Sequence, residues 1–195
     1  MRRRQLLSPT MSDSGDPLAA NDDPLVLAMP RRELFRISGF CLQVDLGVIE
    51  SVADDSWYGV ASSLVGNRDA KEVRLGLVVQ RGDHVLVDEA GALLQITRIG
   101  PEVARLGTGV KALRDLAQLA VAHFLGVDRA RVELAGLLNE DVLPALRDTF
   151  VLVYRCYAPA GAATPAGQSW VPIRQLAALP LEPASIVVAA GLYPA

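Results

Sequence analysis

Apolar and polar positions alternate along several stretches of this chain and recur at helical spacing in one. Residues 73–80 are rich in β-branched and aliphatic residues, Arg81-Gly82-Asp83 reads as a turn, and His84-Val85-Leu86-Val87-Asp88 alternates with Val85 and Val87 on one face. That pattern predicts a β-hairpin. Glu89-Ala90-Gly91 turns again into residues 93–99, so a three-strand meander is expected. Residues 131–138 and 149–157 read as two more strands, the second the most apolar of all, and Trp170-Val171-Pro172-Ile173 as a short one.

Between the meander and these strands lies a loop with glycines at 100, 107 and 109, followed by a predicted helix over 110–125. Placing each residue about 100° on from the last sets Lys111, Arg114, Asp115 and Gln118 on a polar stripe. Val110, Leu113, Leu116, Ala117, Ala120 and Phe124 fall opposite, as in a helix packed on a sheet, and Gly126 supplies its C-terminal cap. Upstream, Leu25-Val26-Leu27-Ala28-Met29 reads as a strand ended by Pro30, with a helical turn after it. Residues 40–52 alternate loosely and suggest another strand. Asp54-Asp55-Ser56 reads as the cap of a short helix carrying Trp57, Val60 and Leu64. Residues 158–169 are mostly Pro, Gly and Ala and read as a mobile loop. Residues 174–179 predict one helical turn, and Pro183-Ala184-Ser185 favours a final helix over a strand.

Composition fits this ordinary α/β picture. The 195 residues suit one domain, with an N-terminal tail at 1–24, poor in large apolar residues and expected to be disordered, and an ordered domain at 25–195. Met11 is a second candidate start after Met1. A net charge of −3 gives no electrostatic case for nucleic acid or an anionic membrane. Met1-Arg2-Arg3-Arg4 is followed by too short an apolar run for a signal peptide, and no stretch is apolar for long enough to span a bilayer. Cys41 and Cys156 form neither a disulfide framework nor a zinc pattern; they read as small buried hydrophobes in a reducing cytoplasm.

The residues Arg81-Gly82-Asp83-His84-Val85-Leu86-Val87, Leu125-Gly126-Val127, and Trp170-Val171-Pro172-Ile173 followed by Leu176 occur in an order that resembles the Nudix superfamily. The leader Met29-Pro30-Arg31-Arg32-Glu33-Leu34-Phe35, then Gly39-Phe40, is similar to that of a bacterial branch described as predicted Nudix phosphoesterases. The resemblance covers roughly residues 25–192. It implies an α+β sandwich, a mixed β-sheet with a helix packed on it, and a pyrophosphate hydrolase using Mg²⁺ held by glutamates. The family's motif, anchored on Gly126-Val127, puts its paired glutamates on His123 and Phe124 and its Arg-Glu pair on Leu119 and Ala120. Its earlier glutamate falls on Lys111 and its first glycine on Arg105. No Asp or Glu occurs between Leu116 and Val127. Mg²⁺ wants oxygen ligands, which Ala and Phe lack and one imidazole replaces poorly. The Nudix box is therefore read as degenerate, with no metal site and no cofactor expected.

Two readings follow. The first is a non-catalytic module for a nucleotide-like small molecule or a protein partner. Its ligand contacts are expected at Arg105, Gly107, Gly109 and Lys111, where a glycine loop meets a helix N-terminus that favours anions. The alternative is a divergent Mg²⁺-dependent hydrolase of a nucleoside diphosphate-linked substrate, drawing on Glu133, Glu140, Asp141 or His123. Each residue has a plainer reading. His123 lies on the apolar arc and reads as a core histidine. The carboxylates, with Asp148, read as solvated loop charges, Trp170 as a core aromatic and His84 as surface. A homodimer through a sheet edge or the apolar C-terminal segment is a third reading.

Overall fold

A computed structural model describes residues 23–42 and 46–194. In chain order, β1 is Leu25–Pro30, β2 Gly39–Cys41, α1 Leu46–Asp54, β3 Trp57–Val60, β4 Ala70–Arg81, β5 His84–Asp88 and β6 Gln95–Arg98. There follow α2 (Gly109–Leu125), β7 (Arg131–Asn139), β8 (Thr149–Tyr157), β9 (Gln168–Pro172) and α3 (Pro183–Leu192). Short 3-10 turns at Arg31–Leu34, Ala61–Leu64, Pro101–Leu106 and Ile173–Ala178 link them.

The strands form one mixed sheet ordered β2-β7-β8-β4-β1-β3, with β5 and β6 also on β4, and β9 on β5. The long central strands β4 and β8 run parallel from Glu72↔Thr149 to Gln80↔Tyr157. Through their middles both are apolar on both faces, as a strand covered on two sides must be. One face, Val73, Leu75, Leu77 and Val79 with Phe150 and Leu152, packs under α1 and α2. The other, Val78, Val151 and Val153, packs under α3 through Val188 and Leu192. The result is a three-layer sandwich of class α/β, with the helix expected at 110–125 on one face of the sheet.

α2 ends as its sequence predicts, with Gly126 in the left-handed conformation at φ 62°. Its amide approaches the Ala122 and His123 carbonyls. α3 forms from the segment for which helix was favoured, and buried Ser185 accepts hydrogen bonds from the Leu93 and Leu94 amides at 2.8 and 3.2 Å.

Several expectations are corrected. β6 pairs with β4 (Arg74↔Arg98 to Leu77↔Gln95), not with β5, and β5 takes β9 as its main partner, so there is no simple meander. Asp54 and Asp55 close α1 instead of opening a helix, and Trp57–Val60 is a strand against β1. Backbone pairing with Leu25–Ala28 outweighs the capping signal. Among the described residues of 40–52, the strand ends at Cys41 and the stretch from Leu46 is helical. Cys156 is buried but Cys41 only half-buried. The connection before β9 is tied down: Arg81 donates to the Ala162 carbonyl and stacks over Trp170, 4.1 Å from its centroid, while Trp170 Nε1 donates to Thr164. Trp170 is partly buried against the core. The tail expected at 1–24 lies outside the described residues up to Asn21-Asp22. Asp23 and Pro24 accept hydrogen bonds from the Ser62 and Ala61 amides.

Candidate functional site

α2 begins at Gly109, and the side chain of Thr108 before it makes no capping bond. Around this N-terminus Arg105, Gly107 and Lys111 are exposed and Gly109 half-buried. Lys111 pairs with Asp115 one turn on. The four expected ligand contacts thus form an open, amide-rich rim.

Asp115 is the single acidic residue of α2. Leu119 and His123 face solvent, while Ala120 and Phe124 pack partly buried against the core. His123 is therefore not the core histidine expected. It sits in the last turn, where a polar ring finds water without leaving the helix.

Glu133, near the start of β7, accepts from the Tyr157 hydroxyl and lies 3.4 Å from Arg131 Nη2 and 3.8 Å from Arg155 Nη1. Glu140, just past the other end of β7, accepts the Val142 amide at 2.9 Å. A strand rises about 3.3 Å per residue, so these two carboxylates are roughly 20 Å apart. Asp141 sits next to Glu140 in sequence but is committed elsewhere. The candidate carboxylates do not gather around one point, and no group of three His, Cys, Asp or Glu among the described residues is arranged to hold a metal.

Asp141 belongs to a network that joins distant parts of the chain. Lys71, 1% exposed, lies on the α2 face of β4 in line with Val73 and Leu75. A buried ammonium is costly unless fully bonded. Its Nζ donates to Asn139 Oδ1 at 2.6 Å and lies 2.7 Å from Asp141 Oδ1. Buried Asn139 in turn donates to the Ile37 carbonyl at 2.7 Å and the Leu34 carbonyl at 3.4 Å. Arg31 completes the set. Its Nε donates to the Asn67 carbonyl, Nη1 to Asp141 at 3.2 Å, and Nη2 to Asp148 at 2.9 Å and the Arg147 carbonyl. Asp148 also accepts the Gly66 amide. Burial pushes the Lys71 pKa down, against the pull of Asp141. The Lys71 hydrogen bond holds the Asp141 carboxyl below its usual range. Asp141 is thus an ion-pair partner in a fastening between loops. The available sequence signal was Lys71 itself, a lysine falling in register with the buried face of an apolar strand.

A second polar constellation occupies the opposite face of the same strand end. Arg74 on β4 stands directly across from Arg98 on β6, with Glu72 two residues earlier. Glu72 is 4% exposed. Its Oε2 accepts from Arg74 Nη2 at 2.7 Å, and Oε1 lies 3.1 Å from Arg98 Nε without forming a hydrogen bond. Arg74 Nε is buried with no acceptor. These side chains floor a notch of about 180 Å³ walled by Leu64, Val65, Pro144 and Ala145.

No family model and no curated protein matches the chain. Among solved structures it is similar to Tm1382, described as "a putative Nudix hydrolase", with a TM-score of 0.72 at 15% identity over 85% of this chain and 96% of that one. A structure described as "a putative oxidoreductase" from Sinorhizobium meliloti overlaps with a TM-score of 0.45 at 19% identity, over 66% of this chain and 39% of that one, and carries no argument. The class is a mixed α/β sandwich. Within that class the fold is Nudix-like, a likeness of architecture alone. Among the described residues no helix is long and apolar enough to cross a membrane.

Proposed function

We propose that this chain is a Nudix-like domain that has lost the metal-binding glutamates and works as a non-catalytic binding module, for a nucleotide-like small molecule or a protein partner. One observation carries the reading: Leu119, Ala120, His123 and Phe124 stand on α2 where the Nudix motif has its Arg-Glu and paired Glu. A Nudix hydrolase uses metal to neutralise phosphate charge as water attacks, and that metal needs carboxylate oxygens on one helical face. The residues present do not fit Mg²⁺, since two are aliphatic, one is aromatic and the imidazole is solvent-facing. What the helix retains is its N-terminal end, where the amides after Gly107 and the exposed Arg105 and Lys111 suit an anionic group. The unpaired thiols of Cys41 and Cys156 support a reducing, cytoplasmic setting for this module.

The test is turnover of a panel of nucleoside diphosphate derivatives with Mg²⁺ and Mn²⁺, read as released phosphate, beside a chelator control. No release above the protein-free blank is expected. Chelator-sensitive release that survives repurification would overturn the reading and turn attention to Glu133, Glu140 and Asp141.

A further inference from the structure

We infer that the notch floored by Arg74, Arg98 and Glu72 is a binding site for a small oxyanion, a phosphate or carboxylate group on a compact organic body. Like charges directly opposite on adjacent strands are destabilising. Arg74 and Arg98 are such a pair, and a single carboxylate serves both. The trio carries one excess positive charge. The other carboxylate lining the notch, Asp148, is held by Arg31 and the Gly66 amide.

The donors outnumber the acceptors as well. Arg74 uses one Nη on Glu72 while its Nε has no acceptor, and Arg98 Nε lies 3.1 Å from Glu72 Oε1 as an ion pair without a hydrogen bond. The outer nitrogens remain on side chains 26% and 48% exposed, at the mouth of the notch. A forked guanidinium is built to take an oxyanion through paired hydrogen bonds. The aliphatic wall of Leu64, Val65, Pro144 and Ala145 admits the carbon part of such a ligand. Drug-sized ligand sites run about 300–1,000 Å³. At about 180 Å³ the notch takes a small anion or the anionic end of a molecule, not a whole nucleotide. It lies on the sheet face away from α2, so it does not depend on the binding role proposed for that helix.

The experiment is an amide chemical-shift titration of the full chain at low ionic strength, with inorganic phosphate and acetate as separate probes. Saturable shifts at Ala145, Asp148 and Thr149 are expected with at least one probe. Which probe binds distinguishes a phosphate from a carboxylate ligand. Arg98→Gln, chosen because that side chain is half exposed and leaves the fold intact, should weaken binding by about tenfold or more. Glu72→Gln, which removes the internal competitor, should tighten it by a similar factor if the variant folds. The inference is overturned by an absence of saturable shifts with both probes, by shifts confined to the start of α2, or by binding that Arg98→Gln leaves unchanged.

Discussion

Replacing Asp141 with alanine separates its two readings, as a reactive carboxylate and as the counter-charge of Lys71. The perturbation leaves a buried ammonium with Asn139 as its remaining side-chain partner. Breaking a fully buried ion pair costs about 3–5 kcal/mol, whereas an exposed pair is worth about 0.2–1 kcal/mol. Here the lysine side chain is 2% exposed and the aspartate 62%, which places the loss near 2 kcal/mol. In a domain of this size that lowers Tm by roughly 4–8 °C. Urea unfolding of the wild type, Asp141→Ala, Lys71→Met and the double variant measures the coupling directly. At least about 1 kcal/mol is expected, because Asp141→Ala should cost little once the charge it serves is gone. A coupling below about 0.5 kcal/mol would refute the argument.

The same pair fixes a pH signature. The folded-state pKa of Asp141 lies below the usual 3.8. On acidification the unfolded chain therefore takes up that proton first, and the stability that the pair supplies above 3.8 is lost as pH falls through the folded value. Asp141→Asn should flatten the acid limb of stability against pH. Lys71 gives a slope of the same sign at the alkaline end. Its folded pKa lies below 10.5, so between that lowered value and 10.5 the unfolded chain binds more protons, and its contribution to stability rises with pH.

Two further outcomes follow from packing. A Cβ at Gly136 would lie 2.5 Å from Phe40 Cζ and 2.7 Å from the Cys41 carbonyl oxygen, so Gly136→Ala should cost about 2 kcal/mol or more, read as a lowered urea midpoint with unchanged slope. Burial pushes the Cys156 thiol up to about 12, while Cys41 is only half-buried. Under native conditions one equivalent of a thiol reagent should therefore modify Cys41, with Cys156 reacting only on unfolding; equal rates would contradict the structure.

Local chemistry made much of the fold legible. The apolar runs of β4 and β8, the Gly126 stop of α2 and the Pro183-Ala184-Ser185 start of α3 are written in neighbouring residues. The failures are those that depend on distant partners. Nothing near Gln95 says that it pairs with Leu77 and not with β5, and Trp57–Val60 becomes a strand because β1 lies beside it. The polar clusters were hidden for the same reason. Lys71 and Asn139, or Arg31 and Asp148, meet only once the sheet has brought distant segments together. The α2 face was readable residue by residue, apart from His123 and Val110, both placed on the apolar arc and both exposed. A repeat of about 100° locates an arc but does not say how deeply its edge is covered.

The pairing of β5 with β9 sets an order of events on the ribosome. β5 touches β4 at only Gln80↔Val85 and Arg81↔His84, and its full-length partner spans Gln168–Pro172. The Leu93 and Leu94 amides await Ser185 for the same reason. A nascent chain that has released β4 to β6 thus carries donors and acceptors with no native partner until β9 and α3 have followed. Such late, long-range closure slows folding and leaves strand edges open meanwhile. The segment from β9 through Leu192 thus closes the β5 edge and the turn at Leu93-Leu94 last.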